Sequence, residues 1–411
     1  MKKVSKKLLE NYALLIAKAG GAVKKGQYVL IRADVELAPF AALVAKQCYK
    51  LGAKRVTYAW SSALTSKVDY KYGKTKALGE LTEEEYGAEL YKTKQLPVLI
   101  YLDGEDPDGL KGIKAEKLAA VKAARFNAAK DLIIERQNKY QWVIAGVPSV
   151  KWAKKVFPNL SKTQAVNALW EAILKTARAE DGNGLENWEK HDKILKEKCA
   201  KLNAMNLKSL HYTASNGTDF KVGLIPGVKF EGGGERTLDG TYFQPNIPSE
   251  ECFTSPMRGE AEGIVYSAKP LVYQSQLIDE FWIRFEKGKA VDCGAKVGED
   301  LLRSIFSLDE GAAYLGECAL VPFDSPINNT GLIFYSTLYD ENAACHLALG
   351  KGFTSLYPSF EKYTEEQIHS FGINESLSHV DFMIGTKDLS IVGTDQNGKE
   401  IQIFKDGNFA F

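Results

Sequence analysis

Carboxylates and imidazoles recur inside otherwise apolar or small-residue stretches in the second half of this 411-residue chain: NIPSEECF at 246–253, LGECALVP at 315–322, DENAACHLALG at 340–350 and SHVDFMIG at 378–385, with DSPI at 324–327 between them. Glu251, Glu317, Glu341, His346, His379 and Asp381 would together make a ligand set for two divalent cations. Hard oxygen donors mixed with two imidazoles suit Zn, Co, Mn or Mg better than a soft metal. Two dications a few ångströms apart repel each other, so a dinuclear hydrolytic centre needs several carboxylates, and a bridging carboxylate or hydroxide screens the repulsion. The chain has only five histidines, His191, His211, His346, His369 and His379, and two of them fall inside carboxylate-bearing segments.

Each segment carries its own spacing argument. One residue separates His379 from Asp381, and a strand points both side chains to the same face. Glu317 stands in AAYLGECALVP, too apolar for a solvated acid; a buried carboxylate needs a cation or several donors, and a buried Arg or Lys is the alternative to a metal. Glu250 and Glu251 are adjacent, so an extended chain turns only one of them toward a site. DENAACHLALG reads as the start of a helix near 340–351 with Asp340 as its N-cap. Five residues then separate Glu341 from His346, about 140° around a helix, so Glu341 must reach from the first turn or just before it. A carboxylate that merely favours a helix N-terminus is the plainer reading of Glu341.

The elements that must position these residues differ between the two halves. From 1 to 150, short apolar runs at 28–35, 54–60, 96–102 and 141–148 alternate with helical stretches at 37–51 and 114–130. That alternation predicts a mostly parallel sheet covered by helices, an α/β domain. Helical periodicity dominates 150–207 and predicts a helical connection. After Leu207 the texture turns to alternating strands and glycine-rich turns. The expectation is therefore an N-terminal α/β domain over 1–207 and an α+β, β-rich metal-binding domain over 208–411, with the one helix near 340–351.

Composition narrows the class. With 45% hydrophobic residues, 11% aromatics and 53 basic against 52 acidic residues, the chain has ample core. Its balanced charge leaves no footprint for nucleic acid or an anionic membrane. Cys48, Cys199, Cys252, Cys293, Cys318 and Cys345 show no CxxC pair and read as reduced thiols, the three beside candidate ligands being small buried hydrophobes. The start MKKVSKKLLENYALLIAKAGG reads as an amphipathic helix, with Leu8, Tyr12, Leu15 and Ala19 on one stripe and Glu10 and Asn11 interrupting any signal-like run. No apolar run approaches the roughly 20 residues needed to span a bilayer, so the cytoplasm is the expected compartment. GKT at 73–75 has Val68 where a phosphate loop needs glycine, GGG at 232–234 precedes no helix, and neither HExxH nor GxSxG occurs.

These segments, with WAKKVFP at 152–158, resemble over essentially the full length the aminopeptidase T, aminopeptidase S and PepS family of bacterial and thermophilic metalloaminopeptidases. The resemblance implies a cytoplasmic homodimer with two divalent metals in the C-terminal domain, held by Glu251, Glu317, Glu341, His346, His379 and Asp381. It implies hydrolytic removal of single N-terminal residues from short peptides, with Glu250, Glu251 or Glu317 shuttling the proton. Family members often place a Tyr seven residues after the ENAACH histidine, and here that position is Phe353. A phenol there would donate a hydrogen bond that Phe cannot, and Tyr357 would replace it only if the helix continued past it, against Pro358. Two rivals remain: a mononuclear-iron, ring-cleaving dioxygenase on a related scaffold, and a catalytically altered metal-dependent binding protein.

Overall fold

The computed structural model describes residues 4–274 and 276–411. The first three residues of the N-terminal stretch lie outside them. Two compact units emerge: one comprises the chain up to Asp192 together with Gly234–Pro248, the other Lys193–Gly233 with Ser249–Phe411.

The first unit is α/β. Tyr28–Asp34, Arg55–Ser61, Val98–Asp103 and Trp142–Gly146 are parallel strands, arranged with Tyr28–Asp34 between Arg55–Ser61 and Val98–Asp103. Val29, Ile31, Val98, Ile100 and Val143 of these strands are buried, and helices such as Lys6–Leu15, Ala38–Lys50 and Ala115–Arg136 alternate with the strands along the chain. Ser5 caps the first helix through the Leu8 N–H, and Tyr12, Ala13 and Leu15 form its buried stripe. A fifth parallel strand, Asn246–Ile247, joins beside Trp142–Gly146 after some 100 intervening residues. The sequence pattern gave no sign of it, because two residues carry no periodicity. Among the described residues no helix is long and apolar enough to cross a membrane.

The second unit is antiparallel. A nine-stranded sheet runs through Leu207–Thr213, Asp219–Leu224, Pro256–Tyr266, Gln276–Glu286 and Ser390–Asp395 among others. A separate four-stranded sheet is built from β1 (Cys252–Thr254), β2 (Leu315–Leu320), β3 (His346–Gly350) and β4 (His379–Met383), in that order, every pair antiparallel.

The helix expected over 340–351 is corrected here. A short helix, Thr337–Glu341, ends before the ligand-bearing stretch, and His346–Gly350 is a strand. HLALG is buried at every position between β2 and β4, and a strand covered on both faces reads as a continuous apolar run that periodicity cannot separate from a helix. Asp340 is not an N-cap. Ser336 holds that position, and the Asp340 carboxylate accepts the Phe334 and Ser336 N–H groups at 2.8 and 3.2 Å.

Candidate metal centre

Strand register decides which side chains meet. Glu317 pairs with Ala348 and Ala319 with His346 across β2 and β3; Ala348 pairs with Asp381 and Gly350 with His379 across β3 and β4. Phe253 pairs with Ala319 across β1 and β2, so Glu251, two residues before it, shares their parity. One face of the sheet therefore carries Glu251, Glu317, His346, His379 and Asp381, interleaved with Ala319, Ala348 and Gly350. The other face carries Cys252, Cys318, Leu320, Leu347, Leu349, Val380 and Phe382, all buried in the apolar core of the unit. Cys252, Cys318 and Cys345 are unpaired thiols and fill that core as small hydrophobes.

Among the described residues two groups of three ligand atoms form, each with its atoms within 4.8 Å of one another: Glu251, Glu317 and His346, and Glu317, His379 and Asp381. Glu317 belongs to both. His346 Nε2 lies 3.3 Å from Glu251 Oε2, and His379 Nε2 lies 3.0 Å from Glu317 Oε2 and 3.1 Å from Asp381 Oδ1. Glu251, Glu317, His346 and Asp381 are buried, while the His379 side chain and Glu341 keep partial exposure. Glu341 falls outside both groups, although the charges of Asp381, Glu251 and Glu317 act on it. Glu250 is buried too and lies outside both; its backbone N–H donates to Asn342 Oδ1 at 2.8 Å.

The electrostatics are those of a crowded acid cluster. Burial pushes the Glu317 carboxyl above its usual range, against the His379 hydrogen bond and with help from the Glu251 charge. Burial, then Asp381, Glu251 and Glu317, push Glu341 far above it. Burial opposes protonation of His346, yet the Glu251 hydrogen bond and the surrounding carboxylates outweigh it and raise the imidazole to about 9. His379 is likewise raised well above its ordinary value by Asp381 and Glu317, despite burial. Asp381 is held below the carboxylate range by His379, again against burial.

The donor set fits a divalent cation. The His379 Nδ1 sits 2.7 Å from the Lys351 carbonyl oxygen, so that nitrogen carries the proton and donates. In the neutral ring the Nε2 lone pair then faces two carboxylates, an arrangement that is repulsive unless a proton or a metal intervenes. Among the described residues no lysine or arginine pairs with Glu251, Glu317, Glu341 or Asp381, which removes the buried-cation alternative for Glu317.

Phe353 stands beside the cluster, its ring centroid 5.2 Å from those of His379 and Phe253. The helix that would have let Tyr357 replace it is absent. A 3-10 turn, Thr354–Leu356, redirects the chain, and Tyr357 stacks on Phe371 at 4.8 Å. Asn342 is a residue the sequence reading missed; its place inside DENAACH was the only signal, and nothing in the spacing distinguished it from a helix-start polar residue.

Comparison with known proteins shows the family and the fold. A family described as "Thermophilic metalloprotease (M29)" matches residues 5–409. Aminopeptidase AmpS of Bacillus subtilis (strain 168) is 39% identical, the alignment covering 98% of either chain. The structure described as wild-type AmpT from Thermus thermophilus superposes with a TM-score of 0.90 at 34% identity, over 99% of this chain and 100% of that one. A 2,5-dihydroxypyridine dioxygenase from Pseudomonas putida KT2440 reaches a TM-score of 0.51 at 12% identity, over 98% and 96%, which is a likeness of fold alone.

Proposed function

The chain belongs to the thermophilic metalloprotease family M29 and is a metal-dependent aminopeptidase, and from that premise we propose a dinuclear centre acting on short peptides. The observation that carries the proposal is Glu317, the one side chain common to both ligand groups. A carboxylate in that position would hold two cations together and screen their repulsion.

Glu251 and His346 on one side, and His379 and Asp381 on the other, complete the two ligand groups, with Glu341 reaching in from the end of the Thr337–Glu341 helix. Bound divalent metals supply Lewis-acid polarisation of the scissile carbonyl and lower the pKa of water. The chain supplies the rest. Lys351 O fixes the His379 ring so that Nε2 faces the site. The buried walls around Glu251, Glu317 and His346 hold water out and strengthen every charge interaction inside. Proton transfer falls to Glu251 or Glu317, which line the cluster, rather than to Glu250, which lies outside both ligand groups. A cytoplasmic location and a homodimer are part of the same reading.

The test is release of N-terminal residues from aminoacyl-p-nitroanilides and dipeptides, before and after EDTA, with Zn, Co, Mn or Mg added back and metal content measured in parallel. Expected are two equivalents of metal per chain, activity lost to chelation and restored by metal, and no cleavage of N-acetylated peptides. Activity indifferent to chelation, or full activity with one equivalent, would overturn it.

A further inference from the structure

Asn342 is completely buried at the C-terminal end of the Thr337–Glu341 helix. Its Oδ1 accepts the backbone N–H of Glu250 at 2.8 Å, from a segment 92 positions away. Its Nδ2 donates to the Leu338 carbonyl at 3.0 Å and to Glu341 Oε1 at 3.3 Å. One amide thus satisfies three groups of opposite demand: a backbone donor in the segment that delivers Glu251, an orphan carbonyl at a helix end, and a candidate ligand carboxylate. Asn is the short side chain that carries both an acceptor and two donors.

We infer that Asn342 is a positioning residue for metal binding, locking the Glu341 carboxylate in one orientation and tying it to the backbone that carries Glu251. With Oε1 engaged by the amide, Oε2 is the Glu341 oxygen left to meet a metal. Because the same amide holds the Glu250 N–H, the two ligand-bearing segments keep a fixed separation before any metal arrives. Outer partners of this kind orient ligands and set affinity, and their loss typically costs roughly 10- to 100-fold in metal binding. The inference rests on the metal-binding reading of the site.

The Asn342→Asp side chain has the same shape and still accepts the Glu250 N–H, but it turns a second oxygen toward Leu338 O and Glu341 Oε1. The measurement is Zn²⁺ binding by calorimetry to the metal-stripped full chain, in wild type, Asn342→Asp, Glu341→Gln and the double variant. Asn342→Asp should weaken binding by roughly 10- to 100-fold in the wild-type background. It should change binding less than about threefold in the Glu341→Gln background, where the Gln amide donates to the new carboxylate. An equal loss in both backgrounds means a merely structural role and overturns the inference, as does no loss in either. Wild-type protein that takes up no metal overturns the metal reading itself, a separate outcome. If circular dichroism shows Asn342→Asp unfolded, Asn342→Ser, which is too short to reach Glu341, replaces it in the same cycle with the same criteria.

Discussion

His379 Nε2 and Glu317 Oε2 lie 3.0 Å apart, while the opposite nitrogen of the ring is held by the Lys351 carbonyl. The contact is favourable only if something positive occupies the Nε2 side. In the metal-free protein that is a proton, and the raised proton affinity of both His379 and His346 expresses it. Metal must displace those protons. Apparent affinity should therefore rise steeply with pH up to about 9, the value to which His346 is raised. Calorimetry in buffers of different ionisation enthalpy should register proton release, and a dissociation constant flat from pH 6 to 8 would contradict the arrangement.

Stability of the metal-free protein has a definite sign. His346 binds its proton more tightly folded than unfolded, so its contribution is complete below the ordinary imidazole value of 6.5 and disappears as pH rises through about 9. Glu317 and Glu341, also raised, lose stability in the same direction as they ionise. Melting temperature should fall between pH 6.5 and 9 when metal is absent and much less when it is bound. A metal-free melting temperature that climbs over that window would rule the account out.

Replacing Glu317 by Gln removes the one ligand shared by both groups. Activity should drop by at least roughly a thousandfold, the scale of losing an essential charge-stabilising group, with bound metal reduced toward one equivalent. Glu250→Gln should keep activity within about threefold, since Glu250 lies in neither group. Assays of kcat/KM with metal analysis separate the two, and near-equal loss in both variants would return Glu250 to the proton-transfer role.

Phe353 offers a gain-of-function test. Its ring is 5.2 Å from that of His379, so a Tyr hydroxyl there would extend alongside the cluster. A donor to a developing oxyanion is worth roughly 100-fold when the site is built around it, so a tenfold rise in kcat for Phe353→Tyr is the expectation, with metal content unchanged. An unaltered kcat and an unaltered substrate ranking would show that this position does not touch the reaction.

Gly350 pairs with His379 and has φ of 100°, where a Cβ would lie 2.1 Å from the Ser378 carbonyl oxygen. Gly350→Ala should destabilise the fold by about 2 kcal/mol or more, through left-handed strain and backbone collision together. Chemical denaturation of the metal-free variant measures it, and a shift below about 0.5 kcal/mol would mean that the β3–β4 edge accommodates the change.

The sequence made some of this legible and hid the rest for identifiable reasons. His379 and Asp381 were readable because a strand period of two needs only three residues to show itself, and the apolar runs of the parallel sheet announce themselves by length. DENAACHLALG misled because a strand buried on both faces and a helix with small residues share one composition. Once His346 is on a strand, the 140° obstacle between it and Glu341 vanishes. Asn246–Ile247 was too short to carry a pattern. Asn342 was invisible because its role lies in a partner 92 positions away.

The alternation of the four-stranded sheet has a genetic consequence. Donor side chains occupy one parity of β2, β3 and β4, and core leucines, cysteines and phenylalanine the other. Inserting or deleting a single codon within one of these strands would exchange the two sets downstream, sending carboxylates into the hydrophobic interior and leucines into the centre. Such an allele would not encode a slower peptidase. It would encode a chain that fails to fold, so sequence length in these three strands is under tighter constraint than the identity of most residues in them.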